Sequence, residues 1–310
     1  MIRQSNLRGF EIPNAPERKI TSLFADDTTI LLSEHDNYTI LENILDTWCL
    51  ASGGKFNKDK TIAIPIGNSE YRQKVLTTRK IGEHSLPLPQ DISLIPDGEA
   101  TRSLGAWIGN NTNAETPWSP VLNKINSALT RWNKFKPTLK GKRLIVQMIV
   151  AGMTQYLTKV QGMPKTIELQ LKTIIRDFMW DKVKIPPINL ETLQQPLQKG
   201  GLKLIDLTAR NEAIEIAWLA TYLRRDDERP TWTYLADYLI SRSVIVNDRH
   251  IPIDMRINAF TQTWKTSTHH TSTLPECLKR MLKTAIKYNA NFTAIKLSHK
   301  MQRNLPIWLH

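Results

Sequence analysis

The chain has 310 residues, long enough for one or two domains with their own cores, and its 41% apolar and 23% charged content is that of a folded protein rather than a disordered one. A formal net charge of +13 favours a polyanionic partner: nucleic acid, an anionic membrane or an acidic protein. The cysteines, Cys49 and Cys277, exclude a disulfide framework and a paired-cysteine zinc site.

No apolar run reaches the roughly 18 residues that a membrane helix needs, and Met1-Ile2-Arg3-Gln4-Ser5 is not the apolar core of a signal peptide. With so few cysteines, the expected setting is reducing and intracellular, cytoplasmic or nuclear, neither secreted nor membrane-bound. Cys49 falls in an apolar helical stretch and is expected to be a buried free thiol.

In chain order, residues 7–12 are a short strand candidate. Residues 19–24 and 28–32 are β-prone runs on either side of Ala25-Asp26-Asp27, the pattern of a β-hairpin with a polar tip. A helix should follow, with Ile40, Ile44, Leu45, Trp48 and Leu50 on its apolar face and Ser52-Gly53-Gly54 as its stop. Residues 60–66 alternate towards a strand, 87–98 carry turn chemistry, and 101–108 are a strand candidate closed by Gly109-Asn110-Asn111.

Beyond Pro117 the periodicity becomes helical. Trp118, Leu122, Ile125, Leu129 and Trp132 form one stripe. Ile145, Met148, Ile149, Gly152, Met153 and Tyr156 form a second, and Ile167, Leu171, Ile174, Ile175 and Phe178 a third that Pro164 opens. Lys199-Gly200-Gly201 breaks the chain before a helix over 211–224. The rest is polar and less regular, ending in Leu305-Pro306-Ile307-Trp308-Leu309. His269-His270 and Cys277 lack tight ligand spacing and suit a polar surface better than a metal site.

Adjacent carboxylates at a hairpin tip repel each other and gain little packing. A divalent cation relieves the repulsion, and Mg2+ prefers such hard oxygen ligands. Nucleotidyl transfer uses carboxylate-held metals that need rigid positioning, which flanking strands supply. Asp-Asp is also a common solvated turn, so the neighbouring residues decide what it means.

Those neighbours carry a resemblance. Phe24-Ala25-Asp26-Asp27 resembles the aromatic-x-Asp-Asp box of reverse transcriptases. Ser52-Gly53-Gly54-Lys55-Phe56-Asn57-Lys58-Asp59-Lys60-Thr61 resembles the segment after the box in the non-LTR (LINE-like) retrotransposon type. Ser103-Leu104-Gly105-Ala106-Trp107-Ile108-Gly109 resembles the Leu-Gly hairpin that grips the primer. Trp132, Lys140-Gly141-Lys142-Arg143, Phe178-Met179-Trp180 and Gly200-Gly201-Leu202-Lys203-Leu204 resemble the thumb. The pieces occur in family order over residues 20–225.

The resemblance implies an α+β fold: a partial palm of antiparallel hairpins with packed helices over 1–112, a helical thumb-like region over 113–225, and a poorly defined connection over 226–310. It implies RNA-directed DNA polymerase chemistry with Mg2+, deoxynucleoside triphosphates, an RNA template and a DNA primer. Asp26 would be a direct metal ligand and Asp27 the second carboxylate. Lys60 would border the nucleotide, or be a surface lysine. Leu104, Gly105 and Trp107 would touch the primer, although Trp107 equally suits a core. Arg131, Lys134, Lys136, Lys140, Lys142 and Arg143, interleaved with Trp132 and Phe135, would track a nucleic-acid backbone, or simply solvate a helix connection.

No aspartate precedes Asp26, so the family's upstream metal-binding aspartate and its fingers have no counterpart here. The expectation is a chain cut just before its catalytic hairpin and inactive alone, with its N-terminal half missing. Two other readings stay open: a catalytically dead, basic nucleic-acid-binding remnant, and a group II intron maturase-like protein.

Overall fold

The computed structural model describes residues 1–224 and 228–290. It is an α+β structure dominated by helices, with three two-stranded sheets among the described residues. The chain divides into two compact units. The first comprises Met1–Thr112 with Pro230–Leu239; the second comprises the described residues of Asn113–Arg229 and Ile240–His310. No described helix is long and apolar enough to cross a membrane.

In the first unit, β1 (Thr21–Phe24) and β2 (Asp27–Ile30) form an antiparallel hairpin. Its base is extended by Leu31 N donating to Ile20 O at 2.8 Å, and by an isolated Phe10–Lys19 bridge in place of a strand over 7–12. Leu7, Ile20 and Leu41 are buried at this base, with Ile30, Leu32, Ile44 and Leu45 packed around them. The buried Asp36 carboxylate fastens the corner, accepting from Arg8 N at 2.6 Å, Gly9 N at 2.9 Å and Ser33 N at 2.8 Å.

Helix α1 (Tyr38–Ser52) starts at Asn37, whose side chain accepts from Thr39 N, and stops at Gly53 in the left-handed region at φ 70°. Its inward face is Leu41, Ile44 and Leu45. Ile40, Trp48 and Leu50 point outward, so the apolar stripe read from periodicity is rotated in the fold. Trp48 instead meets Phe56 at 5.3 Å, and Cys49 is half-buried rather than buried.

The strand expected over 60–66 is reduced to β3 (Ile62–Ala63). It pairs in parallel with β4 (Ser93–Leu94), inside the segment expected to be loop. Helix α2 (Ser69–Thr78) lies between them in sequence. The Arg72 guanidinium ties α2 to Asp97 in a fork, with Nε–Oδ1 at 2.7 Å and Nη2–Oδ2 at 2.5 Å. Residues 101–108 are not one strand. The Leu104-Gly105 turn splits them into β5 (Thr101–Ser103) and β6 (Ala106–Ile108).

The second unit is built from α3 (Ser119–Asn133), α4 (Leu139–Val146), α5 (Gly152–Gln161), α6 (Lys165–Met179), α7 (Leu190–Gln194) and α8 (Leu207–Tyr222). Farther along the chain come α9 (Thr231–Arg242) and α10 (Glu276–Lys287). A π-helical turn, Gln147–Ala151, joins α4 to α5. It inserts extra backbone into the helical ladder and rotates the side chains beyond it. Val150, Thr154, Leu157 and Thr158 therefore face inward, while Met148, Met153 and Tyr156 of the expected stripe are exposed. The third stripe folds largely as read, with Ile167, Leu171, Ile175 and Phe178 buried and Ile174 half-buried.

Gly200 takes φ 79°, and a side chain on Gly201 would collide with the carbonyl oxygen of Gln195. That contact explains the paired glycines. Helix α10 packs Leu278, Met281, Leu282 and Ala285 inward and lies against α8, where Arg280 Nε donates to Glu215 Oε1 at 2.9 Å. The expectation of irregular structure in this stretch is corrected by that helix. His269 and His270 are exposed, and Leu305 to Leu309 lie outside the described residues.

Candidate functional site

The hairpin tip is built from the Phe24–Asp27 pair, with Ala25 and Asp26 as turn residues. Ala25 takes φ 52°, a conformation that costs a residue with a Cβ about 1 kcal/mol or more. Asp26 sits in the turn itself, and Asp27 is the first residue of β2. Both carboxylates are exposed, as are Leu23 at 65% and Phe24 at 67%. Two large apolar side chains thus stand in water beside two acids. Behind β2 lies a 780 Å³ cavity lined chiefly by apolar side chains, Leu41, Leu45, Phe56, Ile64 and Val75 among them.

The other palm-like residues lie on separate elements. Lys60 is exposed at the end of a short 3-10 turn, its N–H held by Asn57 Oδ1 at 3.2 Å. No hydrogen bond or ion pair links it to Asp26 or Asp27 among the described residues. Leu104 and Gly105 are the tip of the β5–β6 hairpin, at φ 48° and 82°. Positive φ at both central residues is the signature of a tight two-residue hairpin turn. Trp107 is half-buried opposite Arg102, whose guanidinium lies 5.9 Å from the ring centroid.

Among the described residues, no group of three or more His, Cys, Asp or Glu side chains comes together around a possible metal. Two carboxylates on one exposed turn do not make a two-metal centre, since each Mg2+ needs about six oxygen ligands in near-octahedral order.

The cationic residues gather where α3 meets α4. Arg131, Lys134, Lys136 and Lys140 are exposed, and Phe135 between them is 75% exposed. Arg143 is half-buried and donates from Nε to Lys203 O at 3.3 Å.

Lys142 is a correction to the sequence reading, because it is turned inward. It is 5% exposed, pairs with Asp181 Oδ1 at 2.7 Å and lies 5.7 Å from the centroid of the Phe178 ring. Its hydrogen bond to Asp181 holds that carboxyl below the usual carboxylate range. This lysine fastens the fold and is turned away from solvent.

No family model and no curated protein matches the chain. One feature missed in the sequence strengthens the cationic surface: no acidic residue lies between Glu115 and Glu168. Helices α3, α4 and α5 fall wholly within that run. A stretch with lysines and arginines but no carboxylates cannot screen its own charge, so its field attracts polyanions over about a Debye length.

Proposed function

We propose that this chain is the catalytic-hairpin and helical portion of a reverse transcriptase of the non-LTR retrotransposon type. It holds template–primer nucleic acid and does not extend a primer by itself. The observation that carries the reading is the Phe24–Asp27 turn, which presents both carboxylates to solvent at a tight hairpin tip. The Leu104-Gly105 hairpin and the acid-free helices support it. In this reading Asp26 and Asp27 are part of a carboxylate set for nucleotidyl transfer, and Leu104, Gly105 and Trp107 approach the primer backbone.

A catalytically dead nucleic-acid-binding remnant is the rival, and the pair of carboxylates with no third acid grouped with them among the described residues favours it. Adding a separate polypeptide that carries the upstream aspartate separates the two: metal-dependent incorporation that is lost in Asp26→Ala supports the first reading, and no incorporation supports the remnant.

Binding is tested by titrating the chain with a labelled RNA–DNA template–primer over a salt series. The expected affinity falls steeply with salt, with a slope of about 0.9 per phosphate neutralised. Replacing Arg131, Lys134, Lys136, Lys140 and Arg143 together by alanine should weaken binding and flatten that slope. Unchanged affinity and slope would overturn the assignment of this surface.

A further inference from the structure

The α3–α4 connection carries a feature that duplex binding does not need. Phe135 leaves three-quarters of its surface in water, at 75% exposure, in the middle of a cationic cluster. A phenylalanine so placed does no work in a core. Its position is nevertheless fixed. Phe135 N donates to Trp132 O at 3.1 Å, Lys136 N donates to Asn133 O at 3.1 Å, and Lys136 takes φ 45° to turn the chain. Trp132, 37% exposed, meets the Phe135 ring edge-on at 6.3 Å and 62°. The pair forms a buttressed ledge with an open aromatic face.

The charges around the ledge are arranged for an anion. Arg131, Lys134, Lys136 and Lys140 are exposed on its flanks. Helix α4 has no acidic residue in its first turn and carries Lys140 there, the opposite of the sign that the positive end of a helix prefers. Asp181, the carboxylate beside the connection, accepts from Asn133 and is paired with Lys142. The buried lysine thus neutralises a charge that would otherwise weaken the surface.

We propose that this ledge is a binding site for single-stranded nucleic acid, with Phe135 as a base-stacking platform, Trp132 as its buttress, and the flanking Arg131, Lys134, Lys136 and Lys140 on the phosphates. Bases in a duplex are already stacked and offer only their edges in the grooves, whereas an unpaired base has a free face. Aromatic platforms set among cations hold single strands with little sequence preference. The inference rests on the nucleic-acid part of the proposed function and names the form that this surface takes.

The test is fluorescence anisotropy with a labelled oligo-uridine or oligo-thymidine and, separately, a labelled blunt duplex, using the full chain and its Phe135→Ala, Phe135→Tyr and Lys134→Ala/Lys136→Ala variants. Phe135 is exposed, so its substitution should leave the thermal melt unchanged. Single strands are expected to bind more tightly than duplex. Phe135→Ala should weaken single-strand binding about tenfold, by the loss of one stacked base, and leave duplex binding unchanged. Phe135→Tyr should restore it. The double lysine variant should weaken both and flatten the salt dependence. Equal affinity for both forms, or no effect of Phe135→Ala on the single strand, overturns the inference while leaving nucleic-acid binding intact. Absence of binding to either probe at low salt overturns the nucleic-acid reading itself.

Discussion

Glu168 on α6 accepts a hydrogen bond from Thr208 on α8, Oγ1 to Oε1 at 2.6 Å, and so joins helices that lie far apart in sequence. The acid is 5% exposed. Lys165 and Lys172 reach it at 2.7 and 3.0 Å, Lys172 also donates to Thr208 at 2.7 Å, and Asn211 reaches the other oxygen at 3.2 Å. Thr208 also lies in the first turn of α8, where its N–H is capped by Asp206. One buried carboxylate thus sets the seam between two helices of the second unit.

This seam should be sensitive to acid. Burial alone would raise the Glu168 pKa, but hydrogen bonds from Lys165, Thr208 and Lys172 outweigh it and hold the carboxyl at about 2, against 4.5 for a free glutamate. A depressed folded-state pKa gives stability that is fully present above 4.5 and is lost as pH falls towards about 2. Glu168→Gln should cost about 1–2 kcal/mol at neutral pH. That is less than a fully buried pair would cost, because Lys165 and Lys172 are partly in water. Urea unfolding from pH 7 downward should show the gap between variant and wild type narrowing only below pH 4.5.

Lysines close together in sequence should behave oppositely. Lys142→Ala removes an inward cation and the packing of its stem, and should cost about 1–2 kcal/mol in a thermal or urea melt. Lys140→Ala should stay within about 0.5 kcal/mol of wild type in stability and flatten the slope. A Lys142→Ala protein as stable as wild type would return Lys142 to the surface.

The hairpin should open locally and more readily than the helices. Its tip is exposed on every residue from Ser22 to Thr29, and a cavity lies behind β2. Amide exchange at Phe24 and Asp27 should therefore outpace exchange at the buried Leu171 in α6. Ala25→Gly removes the strain at φ 52° and should slow exchange at the tip by the equivalent of about 1 kcal/mol, whereas Ala25→Val should hasten it. Equal exchange in all three proteins would show that the turn stores no strain.

The hairpin was legible because its turn chemistry is local: β-prone residues flank a short polar tip, and no distant partner is needed to say so. The third stripe was legible for the same reason, since Ile167, Leu171, Ile175 and Phe178 recur at helical spacing. Periodicity failed where the ladder itself changes. The π-helical turn at Gln147–Ala151 shifts the phase, so Met148 and Met153 fall outside the core they would otherwise join. Helix α2 buries only Val75, and a helix with so narrow an apolar face gives little periodic signal. Lys142 was misplaced because the groups that cover and hold its ammonium, the Phe178 ring, Met179 O and Asp181, lie at and just beyond the end of α6 in the chain. The aromatic and cationic residues of the ledge were visible, but their exposure was not, because only the fold shows which side of α3 faces water.

The most direct measurement is primer extension by the purified chain with an RNA template, a labelled DNA primer, deoxynucleoside triphosphates and Mg2+, read beside a binding assay on the same template–primer. The account predicts a bound complex whose primer stays at its original length, with Asp26→Ala indistinguishable from wild type in both readouts. Extension of the primer that disappears in Asp26→Ala would contradict it, and so would failure of the chain to bind the template–primer.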